Sequence, residues 1–122
     1  MKKMMLAALL VVVPVTALQA MTVATFLQKA EALQNSGITA MFSSDLGLLK
    51  REVAAASQSL RAERLAARRA GRRPAYCPPE NSGVTPAELL AGFRAIPAAQ
   101  RQRIDVREGL RRVLVRKFPC RA

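Results

Sequence analysis

Lys2 and Lys3 precede an apolar run from Met4 to Leu18 that is closed by Gln19-Ala20, and this opening sets what the rest of the chain has to fold into. A positive start, fifteen apolar positions and a small residue at the end form the pattern of a Sec-type secretory signal. A membrane-spanning helix would need about 20 apolar residues. The expectation is a signal peptide over residues 1–20, cut after Ala20, and one exported helical domain over residues 21–122 that is periplasmic or secreted. No cysteine follows the apolar run to accept a lipid. Export changes the reading of Cys77 and Cys120, because disulfides persist in oxidising compartments. The two are expected to bridge, closing a loop of about 44 residues and contributing roughly 4 kcal/mol at best by chain entropy. For a domain whose single small core gives modest stability, that is a large share.

Beyond the leader the apolar pattern is helical, with no sustained alternation of apolar and polar residues. The spacing predicts a first helix over Thr22–Gln34, with Val23, Phe26, Leu27, Ala30 and Leu33 on one face and Asn35-Ser36-Gly37 as the stop. Ile38 to Phe42 reads as one short turn. Ser43 or Ser44 then caps a long helix that reaches toward Ala70 and ends at Gly71 and Pro74. Its stripe of Leu46, Leu49, Val53, Ala56 and Leu60 is narrow, as packing within one chain or against a second copy requires. Pro74 to Gly83 is the clear break. Thr85-Pro86-Ala87-Glu88 is a helix start, with Thr85 as N-cap, Pro86 in the first position and Glu88 placed for a capping box. That helix runs to about Ala95, and Pro97 either ends it or begins a short turn through Arg103. Asp105 and Glu108 repeat the capping-box spacing before a last helix from Val106 to about Phe118. Val106, Leu110, Val113, Leu114 and Phe118 are assigned inward, and Arg111, Arg112 and Arg116 outward. The fold class is therefore all-α, a four- to five-helix domain with one long helix, stapled by a disulfide.

Charge gives the next constraint: 20 Lys plus Arg stand against eight Asp plus Glu, a net of +12 of which two belong to the leader. Such a surface attracts anions. Past Leu60 the stripe of the long helix changes character, because Arg64 falls on the same line with Arg61 and Arg68 beside it. Arg61, Arg64, Arg68, Arg69, Arg72 and Arg73 form the densest positive patch, at a helix C-terminus where the macrodipole favours cations. A solvated helix end accounts for this, and so does a docking surface for carboxylates or phosphates, which guanidinium groups bind in bidentate fashion.

Tyr76-Cys77-Pro78-Pro79-Glu80, a helix containing Leu89-Leu90, the Ile96-Pro97 step and a final helix ending Phe118-Pro119-Cys120 together resemble the C-terminal half of the Rap1a/Tai family. Those are small exported immunity proteins that protect bacteria from type VI secretion amidase effectors. The resemblance covers about 45 residues, and residues 21–73 lack the further cysteines of the family. It implies a helical fold and a protein partner, an effector enzyme whose acidic surface would meet the arginines.

Catalysis finds no support. The chain has no histidine, which excludes Ser/His and Cys/His nucleophile activation and the usual imidazole metal sites. Two cysteines 43 positions apart lack redox-motif spacing. The six glycines are scattered and form no phosphate loop. No cofactor and no metal are expected. Export argues against nucleic acid, and the outer arginines of the last helix lack the amide side chains that read base edges. What remains is a binding protein for a protein partner. The alternatives are a binder of polyanions or an anionic envelope surface, or a small periplasmic chaperone that exposes its stripe when the helices separate.

Overall fold

Thr22 is where the described structure takes shape: its Oγ1 accepts the amide of Thr25 at 3.1 Å and caps the first helix, α1, Val23–Asn35. The structure is a computed structural model that describes residues 20–121, so the signal peptide expected over residues 1–20 lies, but for Ala20, outside the described residues. Ser36 and Gly37 end α1, and Gly37 takes the left-handed backbone, φ +59°. The turn expected at Ile38–Phe42 is a 3-10 helix, Gly37–Phe42, which leaves Ile38, Met41 and Phe42 largely exposed. Ser43 Oγ accepts the Asp45 amide and caps α2, Ser44–Arg69, whose 26 residues span about 39 Å. The carbonyls at its end are satisfied by Gly71 N on Arg68 O and Arg72 N on Ala67 O, with Gly71 at φ +68°.

An irregular segment leads to α3, Pro86–Ala95, α4, Ala98–Arg101, and α5, Val106–Lys117. Thr85 caps α3 through the Glu88 amide, and Asp105 caps α5 through the Glu108 amide at 2.8 Å. The Glu88 carboxylate takes Lys117 of α5 as well as Thr85, and Glu108 turns to Arg111 and Arg112. Pro97 both ends α3 and starts the single turn of α4. Five α-helices and one 3-10 helix, with no strand among the described residues, make the all-α domain that the periodicity predicts.

The starts of α1 and α5 are tied side by side by Val23 N on Ile104 O and Val106 N on Met21 O, at 3.0 and 2.9 Å. This pairing brings Val23 and Val106 to the middle of the core, where they are fully enclosed with Leu60 of α2 and Phe93 of α3. Phe26 and Phe93 meet edge to face, ring centroids 5.3 Å apart. The α2 stripe packs within the chain: Leu49, Ala56 and Leu60 are core residues, while Val53 is half-buried. Cys77 and Cys120 are bridged, with Cα atoms 4.9 Å apart, and the Cys77 amide donates to Phe118 O at 2.8 Å.

One expected orientation is corrected. Arg111 is only partly exposed, because Glu63 of α2 stands opposite it at 2.7 Å and draws it toward the α2–α5 interface. No helix of the described residues is long and apolar enough to cross a membrane.

Gly109 sets how closely α5 approaches the core. A Cβ there would lie 2.7 Å from Val23 Cγ2 and 2.9 Å from Phe93 Cε1, both on fully enclosed side chains. Overpacking of this kind costs about 1–3 kcal/mol, against a gain of about 1 kcal/mol in helix propensity from glycine to alanine. Gly109→Ala is expected to lower stability by up to about 2 kcal/mol in urea unfolding, and a stabilised variant would contradict the close approach.

Candidate functional site

The wide face of α2 is only partly covered. Its second half packs on α5, and the irregular segment after Tyr76 stands off from it, leaving a half-open cleft of about 1170 Å³. It has a floor, a wall and a rim. The floor is apolar, from Phe26 of α1, Leu49 of α2, Leu89 of α3 and Leu110 and Leu114 of α5. One wall is the outer side of α2, including Val53, Ser57, Arg61, Arg64 and Arg68. The opposite rim is the loop from Pro78 to Pro86, which carries Glu80.

The rim is fixed at several points. The disulfide holds Cys77 to the end of the chain, and Lys117 of α5 donates to the Gly83 carbonyl at 2.7 Å. Ser82 Oγ closes a turn on Pro79 O, and Asn81 adopts a left-handed backbone, φ 59°, which asparagine tolerates better than most residues. The paired prolines limit the backbone further.

The six arginines expected to form one patch are divided by the fold. Arg61, Arg64 and Arg68, spaced three and four residues apart, line the cleft. Arg69 and Arg72 are exposed outside it, and Arg73 donates to Cys120 O at 2.5 Å, bracing the stapled end. Arg64 is the most confined of the six. Its guanidinium lies 5.6 Å from the ring centroid of Tyr76, itself buried, and its Nε is buried without a hydrogen-bond partner among the described residues. A cation over an aromatic face is attracted to it, but a buried donor lacking an acceptor costs free energy.

The carboxylates show why these arginines stand apart. Glu63 takes Arg107 at 2.6 Å and Arg111 at 2.7 Å, Glu108 takes Arg111 and Arg112, and Glu88 takes Lys117. Asp45 pairs with Lys29 and Glu31 with Arg94. These pairs engage Arg107, Arg111, Arg112 and Lys117 of α5 and Lys29 of α1, whereas among the described residues none of the six patch arginines has an ion-pair partner. The sequence pointed to the positive patch but not to the cleft. The cleft was missed because Leu89, Leu110 and Leu114 satisfy a core pattern equally well when one edge of each is left open. One signal was readable: a guanidinium on the apolar line of α2 needs an aromatic or an anion beside it, and Tyr76 supplies the first.

Glu63 is the electrostatic hinge of the α2–α5 contact. The hydrogen bond from Arg111, and after it that from Arg107, holds its carboxyl below the usual range, and the same contact raises Arg111. A carboxyl depressed in the folded state stabilises above its ordinary value, about 4.3, and that contribution is lost as pH falls through the folded value. Both partners are partly exposed, so the network is worth about 0.5–1 kcal/mol. Glu63→Gln is expected to lose that amount at pH 7, and the gap from the parent protein closes below about pH 4 in pH-dependent unfolding. A gap that stays constant down to acid pH would assign the effect to packing.

The chain matches no protein-family model, no curated protein and no solved structure.

Proposed function

We propose that this chain is an exported binding protein that acts by occupying a partner protein, in the manner of the periplasmic immunity proteins that its C-terminal segments resemble. One observation carries the reading: three arginines without ion-pair partners wall an apolar cleft, while five of the eight carboxylates pair with other cations. A surface built in this way is complementary to an acidic partner that also presents apolar area, and charge there sets partner choice and on-rate. The disulfide is in keeping with an oxidising compartment, periplasmic or secreted. Blocking a partner enzyme needs no catalytic group on the inhibitor, only shape and charge.

Binding of generic polyanions fits less well, because such binding draws on distributed charge and is lost steeply with salt. Here three arginines without ion-pair partners among the described residues meet an apolar floor, which binding by distributed charge does not call for. The test is capture from envelope and effector-containing extracts with the parent protein and an Arg64→Glu/Arg68→Glu variant, at low and high salt. One protein retained by the parent at both salts, and reduced about tenfold or more by the variant, is the expected result. Capture unchanged by the reversal removes the cleft from the function, and material that washes off entirely with salt favours the polyanion reading.

A further inference from the structure

The cleft also restricts the form of what enters it. We infer that it receives an amphipathic α-helix of the partner, apolar side on the floor and carboxylates spaced three and four residues apart facing Arg61, Arg64 and Arg68. The inference rests on the reading of the cleft as the partner site.

Size is the first argument. Small-molecule pockets enclose about 300–1,000 Å³. This cleft holds about 1170 Å³ and is half open. Ten residues of helix form a cylinder about 15 Å long and about 10 Å across, close to 1200 Å³ in volume. A peptide that binds by adding a β-strand would need a sheet edge to pair with, and no strand is found among the described residues. A helix satisfies its own backbone and asks of its groove only apolar contact and side-chain pairing.

Spacing is the second argument. Arg61, Arg64 and Arg68 run along one side of a helix at the pitch at which carboxylates on a second helix recur. Arg64 adds selectivity: held over Tyr76 at the cleft wall, it is placed for a carboxylate to reach its guanidinium in the two-pronged geometry such groups favour. Glu80 on the opposite rim repels the acidic side and directs it toward α2. The incoming helix is thereby oriented about its own axis, with acid toward α2 and leucine-like side chains toward Leu89, Leu110 and Leu114.

The experiment titrates the processed full-length protein against a fluorescein-labelled helical peptide of about 14 residues, with leucine at helical spacing on one face and glutamate along the adjoining side. One twin carries lysine for glutamate and a second carries a central proline. The glutamate peptide is expected to bind, both twins about tenfold or more weaker. The Arg64→Glu/Arg68→Glu variant should show a similar loss. Ser57→Trp, which fills the cleft from an exposed position on α2, provides a second block that leaves the charges in place. Equal binding of the proline twin, no binding of the glutamate peptide, or tighter binding of palmitate than of the peptide would each overturn the helix, the last in favour of a single-chain lipid. Arginine-dependent protein capture alongside a failed peptide would remove the helix alone, whereas failure of both removes the partner site as well.

Discussion

The Cys77–Cys120 bridge is the constraint on which the shape of this molecule depends. Residues 70–85 form no helix, and so have no internal ladder of hydrogen bonds to hold them. Their position comes from the covalent link, from Cys77 N on Phe118 O, from Arg73 on Cys120 O and from buried Tyr76. With those anchors the segment stands opposite α2 as a rim, and the space between them is the cleft. Chain-entropy arguments place the stabilising effect of the bridge in the unfolded state, where it limits a long loop. Its effect on function is local and different, because it decides whether the site has two walls or one.

Charge is then sorted by the same framework. The pairing of Val23 and Val106 with Ile104 and Met21 fixes where α5 starts, and the register of α5 against α2 puts Arg107 and Arg111 over Glu63. Two turns earlier or later on α5 that carboxylate would have no double partner. The acids are few, and most are committed to α5 and α1, so the arginines on the outer side of α2 remain without counter-charges. Among the described residues six cations pair with carboxylates, and the arginines that line the cleft are among those that do not.

Much of the fold was legible in the sequence because local signals and apolar spacing agreed. Thr85-Pro86, Asp105 and Ser43 each cap the helix they announce, and Val23, Phe26, Leu60, Phe93 and Val106 are all inside. Legibility ended where a residue's partner lies far away in sequence. Arg111 reads as an outward cation on its own helix, and only the approach of Glu63, 48 positions earlier, turns it inward. Glu108 reads as a capping-box acid, yet its carboxylate goes to Arg111 and Arg112, where charge-assisted pairing is stronger than a bond to a neutral amide. The division of the arginine patch follows from the chain reversal at Gly71, which carries Arg72 and Arg73 away from the face that holds Arg61, Arg64 and Arg68. The cleft was invisible for a further reason: a spacing pattern records which side of a helix is apolar, and not whether a neighbour covers all of it.

The most direct test of the account is a spectrum of the arginine Nε–H resonances in ¹⁵N-labelled protein, recorded alone and with the captured partner. If the cleft is the binding site, the Arg61, Arg64 and Arg68 signals move together as their guanidinium groups gain carboxylate partners, and Arg69 and Arg72 stay in place. Shifts confined to Arg69 and Arg72, or spread evenly over all the arginines, would contradict it and return the positive charge to a solvated surface.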